Sequence, residues 1–162
     1  ERASRTVRDA SIVTDMKRLF NIFSRKRRER LCLARDFVVL AWSGNGLGAS
    51  ELAFMKQLFV QYRLDTELLN VISQAPDAIA DTYPTAAEER MRHLVRMVRF
   101  ALSHGKENAK ARSYCRLTAR KMGLPDGSAQ AVAARLTACP DSDDRTMAHQ
   151  LLQELSSPMR KQ

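Results

Sequence analysis

Phe37-Val38-Val39-Leu40-Ala41-Trp42-Ser43 is followed sixty residues later by Met97-Val98-Arg99-Phe100-Ala101-Leu102-Ser103. Each stretch is apolar enough to end a buried helix, and each runs into a loop containing glycine. The first loop is Gly44-Asn45-Gly46-Leu47-Gly48-Ala49-Ser50, and the second is His104-Gly105-Lys106-Glu107-Asn108. A second helical pattern follows each loop, closing at Leu64 and at Leu124. Val38 with Val98, Ala41 with Ala101, Ser43 with Ser103 and Leu64 with Leu124 coincide without a gap. Phe54 with Tyr114, Met55 with Cys115 and Lys56 with Arg116 agree in kind. A repeat constrains the fold before any local reading does. This one predicts two pseudo-symmetric helix-loop-helix units.

The patterns outside the repeat are helical too. Ile12, Val13, Met16, Leu19, Phe20 and Phe23 recur at helical spacing. Ser50 is placed to cap the helix running to Tyr62, and Asp65 or Thr66 the next one, which stops before Pro76. Thr85-Ala86-Ala87-Glu88 reads as a capping box opening a helix to Ser103. Further helices are expected over 108–122, with Gly123 and Pro125 as the stop, over 126–136, and from 142 to about 155. Nothing alternates at period two, and β-branched residues are sparse. The expected fold is all-α, a compact bundle of about seven to eight helices. Its expected parts are a basic N-terminal arm and helix over 1–30, a helical domain over 31–155, and a tail or linker over 156–162.

A chain of 162 residues with 44% hydrophobic and 28% charged residues has the material for a buried core. Cys32, Cys115 and Cys139 are widely spaced and form no metal-binding or disulfide pattern, so all three are expected as small apolar fillers. No apolar run is long enough to span a bilayer. The stretch opens at Glu1 rather than methionine, and an anchor or second domain outside it is an expectation of this reading.

The net charge of +9 is uneven. Residues 1–30 hold 10 basic and 4 acidic residues, and residues 88–121 hold 10 and 3. Within the first zone, Arg25, Lys26, Arg27, Arg28 and Arg30 form a run close after Leu19-Phe20-Asn21-Ile22-Phe23. Close-packed like charges repel and are often held for a partner, here an acidic protein or an anionic membrane surface. The alternative is a core segment followed by solvated charge. In the second zone Arg92, Arg96 and Arg99 share one helix face, as do Arg112, Arg116 and Arg120. These are read either as solvated helix backs or as one face for an anionic partner. Nucleic acid is a possible ligand through non-specific phosphate contacts, since no zinc finger or RNA-reading aromatic motif is present.

The chemistry for catalysis is thin. Gly44-Asn45-Gly46 lacks the Lys-Ser/Thr of a phosphate loop. His93, His104 and His149 are scattered, and neither Ser43 nor Ser103 has an identifiable base. Glu88-Glu89 and Asp143-Asp144 sit at helix starts, where the helix dipole accounts for them. The reading is non-enzymatic, with no cofactor. Trp42, at an apolar helix end, is expected in the core.

The twice-repeated layout resembles the TerB-like domain of the tellurite-resistance family over roughly residues 31–136. In that family the loop usually reads Ala-Asp-Gly with a Glu near the next helix start. The corresponding stretches here are Ala41-Trp42-Ser43-Gly44-Asn45-Gly46 with Glu51, and Ala101-Leu102-Ser103-His104-Gly105 with Glu107. The second copy has Ala111 where the first has Glu51. TerB-like domains are associated with divalent-metal binding through acids in these loops. Asn45 and His104 stand where Asp would be, so no metal is expected, a hard cation needing several oxygen ligands. The resemblance implies a cytoplasmic scaffold or adaptor module beside stress or defence components, associated with a membrane through a region outside this chain.

Overall fold

The computed structural model describes residues 14–157 apart from Leu19, Asn21, Asn45, Lys106 and Glu107. Among these residues the fold is all-α, with no strand. Residues 14–18 are helical. The main elements are α1 (Arg25–Ala41), α2 (Ala49–Gln61), α3 (Leu68–Gln74), a short 3-10 turn (Pro76–Ala78), α4 (Ala87–Ser103), α5 (Ala109–Lys121), α6 (Ser128–Ala138) and α7 (Asp144–Ser156). The expected boundary at 30/31 falls inside α1, so the Arg25–Arg30 run is the opening of a helix.

The described residues divide into two compact units, one comprising 48–82 with the chain up to residue 39, the other 40–47 with the chain from 83. In the first unit Leu31, Phe37, Met55, Leu58, Phe59 and Ile72 are fully enclosed. The Phe37 and Phe54 rings lie 5.9 Å apart and tie α1 to α2. Arg35 is also buried there. Its guanidinium donates to the enclosed Asp36 carboxylate, to the Ile79 carbonyl at 2.9 Å and to Asp81 at 2.7 Å. Cys32 Sγ accepts from the Thr82 N–H at 3.3 Å. Residues 79–82 are thus held to α1 by directed polar contacts within an apolar surround.

In the second unit α4 packs on α7 along most of its length and also meets α5 and α6. Met91, Leu94, Met97, Met147 and Leu151 are enclosed. Arg99 of α4 fastens the start of α7, donating to Asp144 at 2.9 Å and to the Pro140 and Ser142 carbonyls at 2.5 Å each.

Burial follows the sixty-residue register closely. Leu31 and Met91, Ala34 and Leu94, Phe37 and Met97, Leu40 and Phe100, and Ala41 and Ala101 are each buried. Residues 51–60 and 111–120 carry the same order of buried, half-buried and exposed positions. α2 and α5 start and stop sixty residues apart. Each ends in the same way, Leu64 donating to the Phe59 carbonyl and Leu124 to the Ala119 carbonyl. The left-handed residue that permits this reversal is Gly123 in one case and Arg63, at φ 55°, in the other.

Several local expectations are corrected. α2 starts one residue before Ser50, at Ala49, and the cap position is Gly48 with no side-chain hydrogen bond. The capping box at Thr85 is not formed, since Ala86 occupies the cap position of α4. Trp42 is 50% exposed, because the helix ends at Ala41 and the next residue leaves its phase. A Cβ added at Gly46 would lie 3.6 Å from the Trp42 ring, so the indole leans on the loop and not into the core. Cys32 and Cys115 are buried as expected, but Cys139 is exposed at the end of α6.

Asn108 and Asp143 do act as caps, accepting from the N–H groups of Ala111 and Thr146. The backbone N–H and then the hydroxyl of Thr146 hold the Asp143 carboxyl below its ordinary value of 3.8. A carboxyl lowered in the folded state contributes stability that is present above that ordinary value and lost as pH falls through the folded one. Asp143→Asn keeps a cap acceptor but removes the titration. Thermal melts from neutral pH to below pH ~4 should therefore show a shallower acid loss of Tm in the variant. Parallel acid profiles for the two proteins would contradict this.

Candidate functional site

The eleven cations singled out in the sequence divide by what they touch. Arg25 and Lys26 are exposed on the first turn of α1. Arg27 lies over the Phe23 ring, its guanidinium carbon 4.0 Å from the centroid. Arg27, Arg28 and Arg30 are half-buried, and their Nε atoms are covered without hydrogen-bond partners. The preceding segment is split: Phe20 is buried, Phe23 stacks edge-on against it at 5.7 Å, and Ile22 is 76% exposed. Leu19 and Asn21 of that segment lie outside the described residues. The N-terminus of a helix carries positive partial charge, so cations in the first turn of α1 oppose the dipole. Cations in this first turn do not add to the stability of the helix.

On α4, Arg92 is exposed, while Arg96 and Arg99 are half-buried. The Arg99 guanidinium is committed to the start of α7 by its three acceptors. On α5, Arg112, Arg116 and Arg120 are all exposed, and among the described residues none of them pairs with a carboxylate. Elsewhere in this unit, Arg135 pairs with Glu154 at 2.6 Å, which raises the arginine pKa further. The expected joining of the two stripes is therefore uneven. Arg99 points to α7, and the α5 arginines border hollows against α6.

Two hollows border them. One, of about 130 Å³, has walls of Val98, Ala101, Ala111, Cys115, Ala129 and Ala133, with Arg112 and Arg116 at its edge. The other, of about 310 Å³, lies at the start of α6, where Arg116 and Arg120 share the rim with Asp126. The first was not anticipated. Its signal was in the repeat: Ala111, Cys115 and Ala129 stand where the first copy has Glu51, Met55 and Leu69.

Each histidine has a neighbour within the second unit. His93 is buried with its ring tilted towards that of Tyr83 at 6.1 Å, and His104 Nδ1 lies 3.1 Å from the Phe100 carbonyl. His149 Nδ1 meets Glu88 at 2.5 Å on the surface, joining α7 to α4. Among the described residues no three of His, Cys, Asp and Glu gather as a metal site. Of the loop candidates, Glu51 is buried, while Asn45 and Glu107 lie outside the described residues. Among the described residues no helix is long and apolar enough to cross a membrane.

Comparisons with protein-family models, with curated proteins and with solved structures return no match.

Proposed function

We propose that this chain is a non-enzymatic helical interaction module, TerB-like in layout, that binds an acidic partner through α5. In this reading its two helix-loop-helix repeats are pseudo-symmetric copies and it serves as a cytoplasmic scaffold or adaptor in a stress- or defence-related assembly. One observation carries the proposal. Arg35, Arg99 and Arg135 are matched to internal acceptors, whereas Arg112, Arg116 and Arg120 have no carboxylate partner among the described residues. An unmatched basic stripe on one helix adds little to stability, and steers and orients an oppositely charged surface. α5 also has no acid in its first turn to complement its dipole.

A second reading, an anionic membrane face, is favoured by a different feature. Ile22 is exposed close to Arg25 and Lys26, which pairs an apolar anchor with surface cations.

The test is salt-dependent binding of the purified chain to poly-glutamate, labelled DNA and RNA, and anionic and neutral vesicles. Charge reversal at Arg112, Arg116 and Arg120 should weaken poly-glutamate binding by roughly tenfold or more. Uptake by anionic vesicles alone, lost on reversing Arg25 and Lys26, would favour the membrane reading. A steep fall with salt on both DNA and RNA would favour a nucleic-acid-binding subunit. Unchanged binding in both reversed variants would overturn the proposal.

A further inference from the structure

The 130 Å³ hollow combines features that ordinary surface dips do not share. Its walls come from three helices: Val98 and Ala101 on α4, Ala111 and Cys115 on α5, Ala129 and Ala133 on α6. Cys115 and Ala111 are 4% and 1% exposed, so the floor is part of the packed interior. Beside Val98 and Leu102, the apolar lining is alanine and cysteine. At the same register the first copy has Met55 for Cys115 and Leu69 for Ala129, both buried. Larger residues at these two positions would narrow the hollow.

Size limits what the hollow accepts. An apolar cavity of about 150 Å³ holds a benzene-sized group. Sites for drug-sized ligands and cofactors run to about 300 Å³ or more. One side chain fits here; a nucleotide does not. The rim supplies charge selection, since Arg112 and Arg116 stand one helical turn apart on α5 and lack carboxylate partners among the described residues. Gln130 adds an amide from α6. An apolar pocket with two cations along one edge is complementary to a buried apolar anchor flanked by acids.

We propose that this pocket receives a single leucine- or phenylalanine-sized side chain from an acidic segment of a partner protein, with neighbouring carboxylates on Arg112 and Arg116. The inference rests on the acidic-partner reading above and names the docking point for it. The anchor supplies affinity by displacing water from the apolar walls, and the two arginines set polarity and register.

The test uses amide chemical shifts of the isotope-labelled chain titrated with a capped peptide of two leucines flanked by glutamates. Two control peptides replace the leucines by glycines or the glutamates by lysines. The acidic leucine peptide should shift the amides of Ala111, Cys115, Ala129 and Ala133, and each control should bind at least about tenfold more weakly. The pocket-filling variant Cys115→Met with Ala129→Leu borrows the first copy's residues and should abolish those shifts. Arg112→Gln with Arg116→Gln, at exposed positions that spare the core, should weaken binding by about tenfold. Equal binding by the filled variant, or by the lysine peptide, would overturn the inference. If poly-glutamate binds but the leucine and glycine peptides bind alike, the acidic-partner reading stands and the pocket inference fails. If no acidic probe binds, both fail.

Discussion

Arg35→Leu should destabilise the first unit by about 3–5 kcal/mol in urea unfolding, the cost of breaking a buried ion pair from one side. Asp36 is fully enclosed, and Arg35 reaches it through both Nε and Nη2 at 3.3 and 3.2 Å. With the guanidinium gone, that enclosed carboxylate loses the positive charge beside it. The Ile79 carbonyl loses a donor and Asp81 loses its 2.7 Å partner, so residues 79–82 lose two of their polar contacts to α1. Lysine is not an adequate replacement, because one ammonium cannot address three acceptors in the planar arrangement the guanidinium uses. The double variant Arg35→Leu with Asp36→Leu removes both charges and should be more stable than Arg35→Leu alone. A single variant within about 1 kcal/mol of the parent chain would show that the network is not holding this segment.

This network also shows where reading the sequence stops. An Arg-Asp pair in the apolar half of a helix has the same local pattern whether it lies at the solvent edge or in the core. What distinguishes Arg35 is Ile79 and Asp81, which lie 44 and 46 residues away and follow no periodic rule. The helices themselves were legible. Apolar spacing located α2 and α4 to α7 to within a residue or two at most ends, because burial of one face dictates a 3.6-residue period. Cap positions were less legible. Ser50 and Thr85 have the right chemistry, but the loop geometry put Gly48 and Ala86 at the cap positions.

The candidate site was half legible. Spacing placed Arg112, Arg116 and Arg120 on one face, and all three are exposed on α5. The same spacing rule grouped Arg92, Arg96 and Arg99, yet it could not say that the Pro140 and Ser142 carbonyls would stand opposite Arg99. Angular position on a helix is local information, and what faces it depends on the fold. The pocket beside Cys115 was encoded in plain view, as smaller residues at matched offsets. Its meaning depended on knowing that the matched positions are buried.

Phe37→Ala is the second substitution expected to have a large effect, about 3–5 kcal/mol, the range for removing a buried phenyl ring. Phe37 is 0% exposed and belongs to the stretch from which the fold was read. Its ring meets that of Phe54 across α1 and α2 at a tilted 51° and 5.9 Å, within the range where aromatic pairs add to simple burial. Truncation therefore removes apolar area, a ring contact and the filler of an enclosed space together. Phe37→Leu keeps most of the volume and loses only the aromatic contact, so it should cost much less than alanine. Phe37→Met is the informative comparison, because Met97 occupies the buried position sixty residues on. If both copies offer that position a similar apolar surround, methionine should recover most of what alanine loses. Equilibrium unfolding of the three variants separates the outcomes. Methionine as costly as alanine would mean that the shared burial pattern conceals two differently shaped cores, with the repeat confined to backbone register.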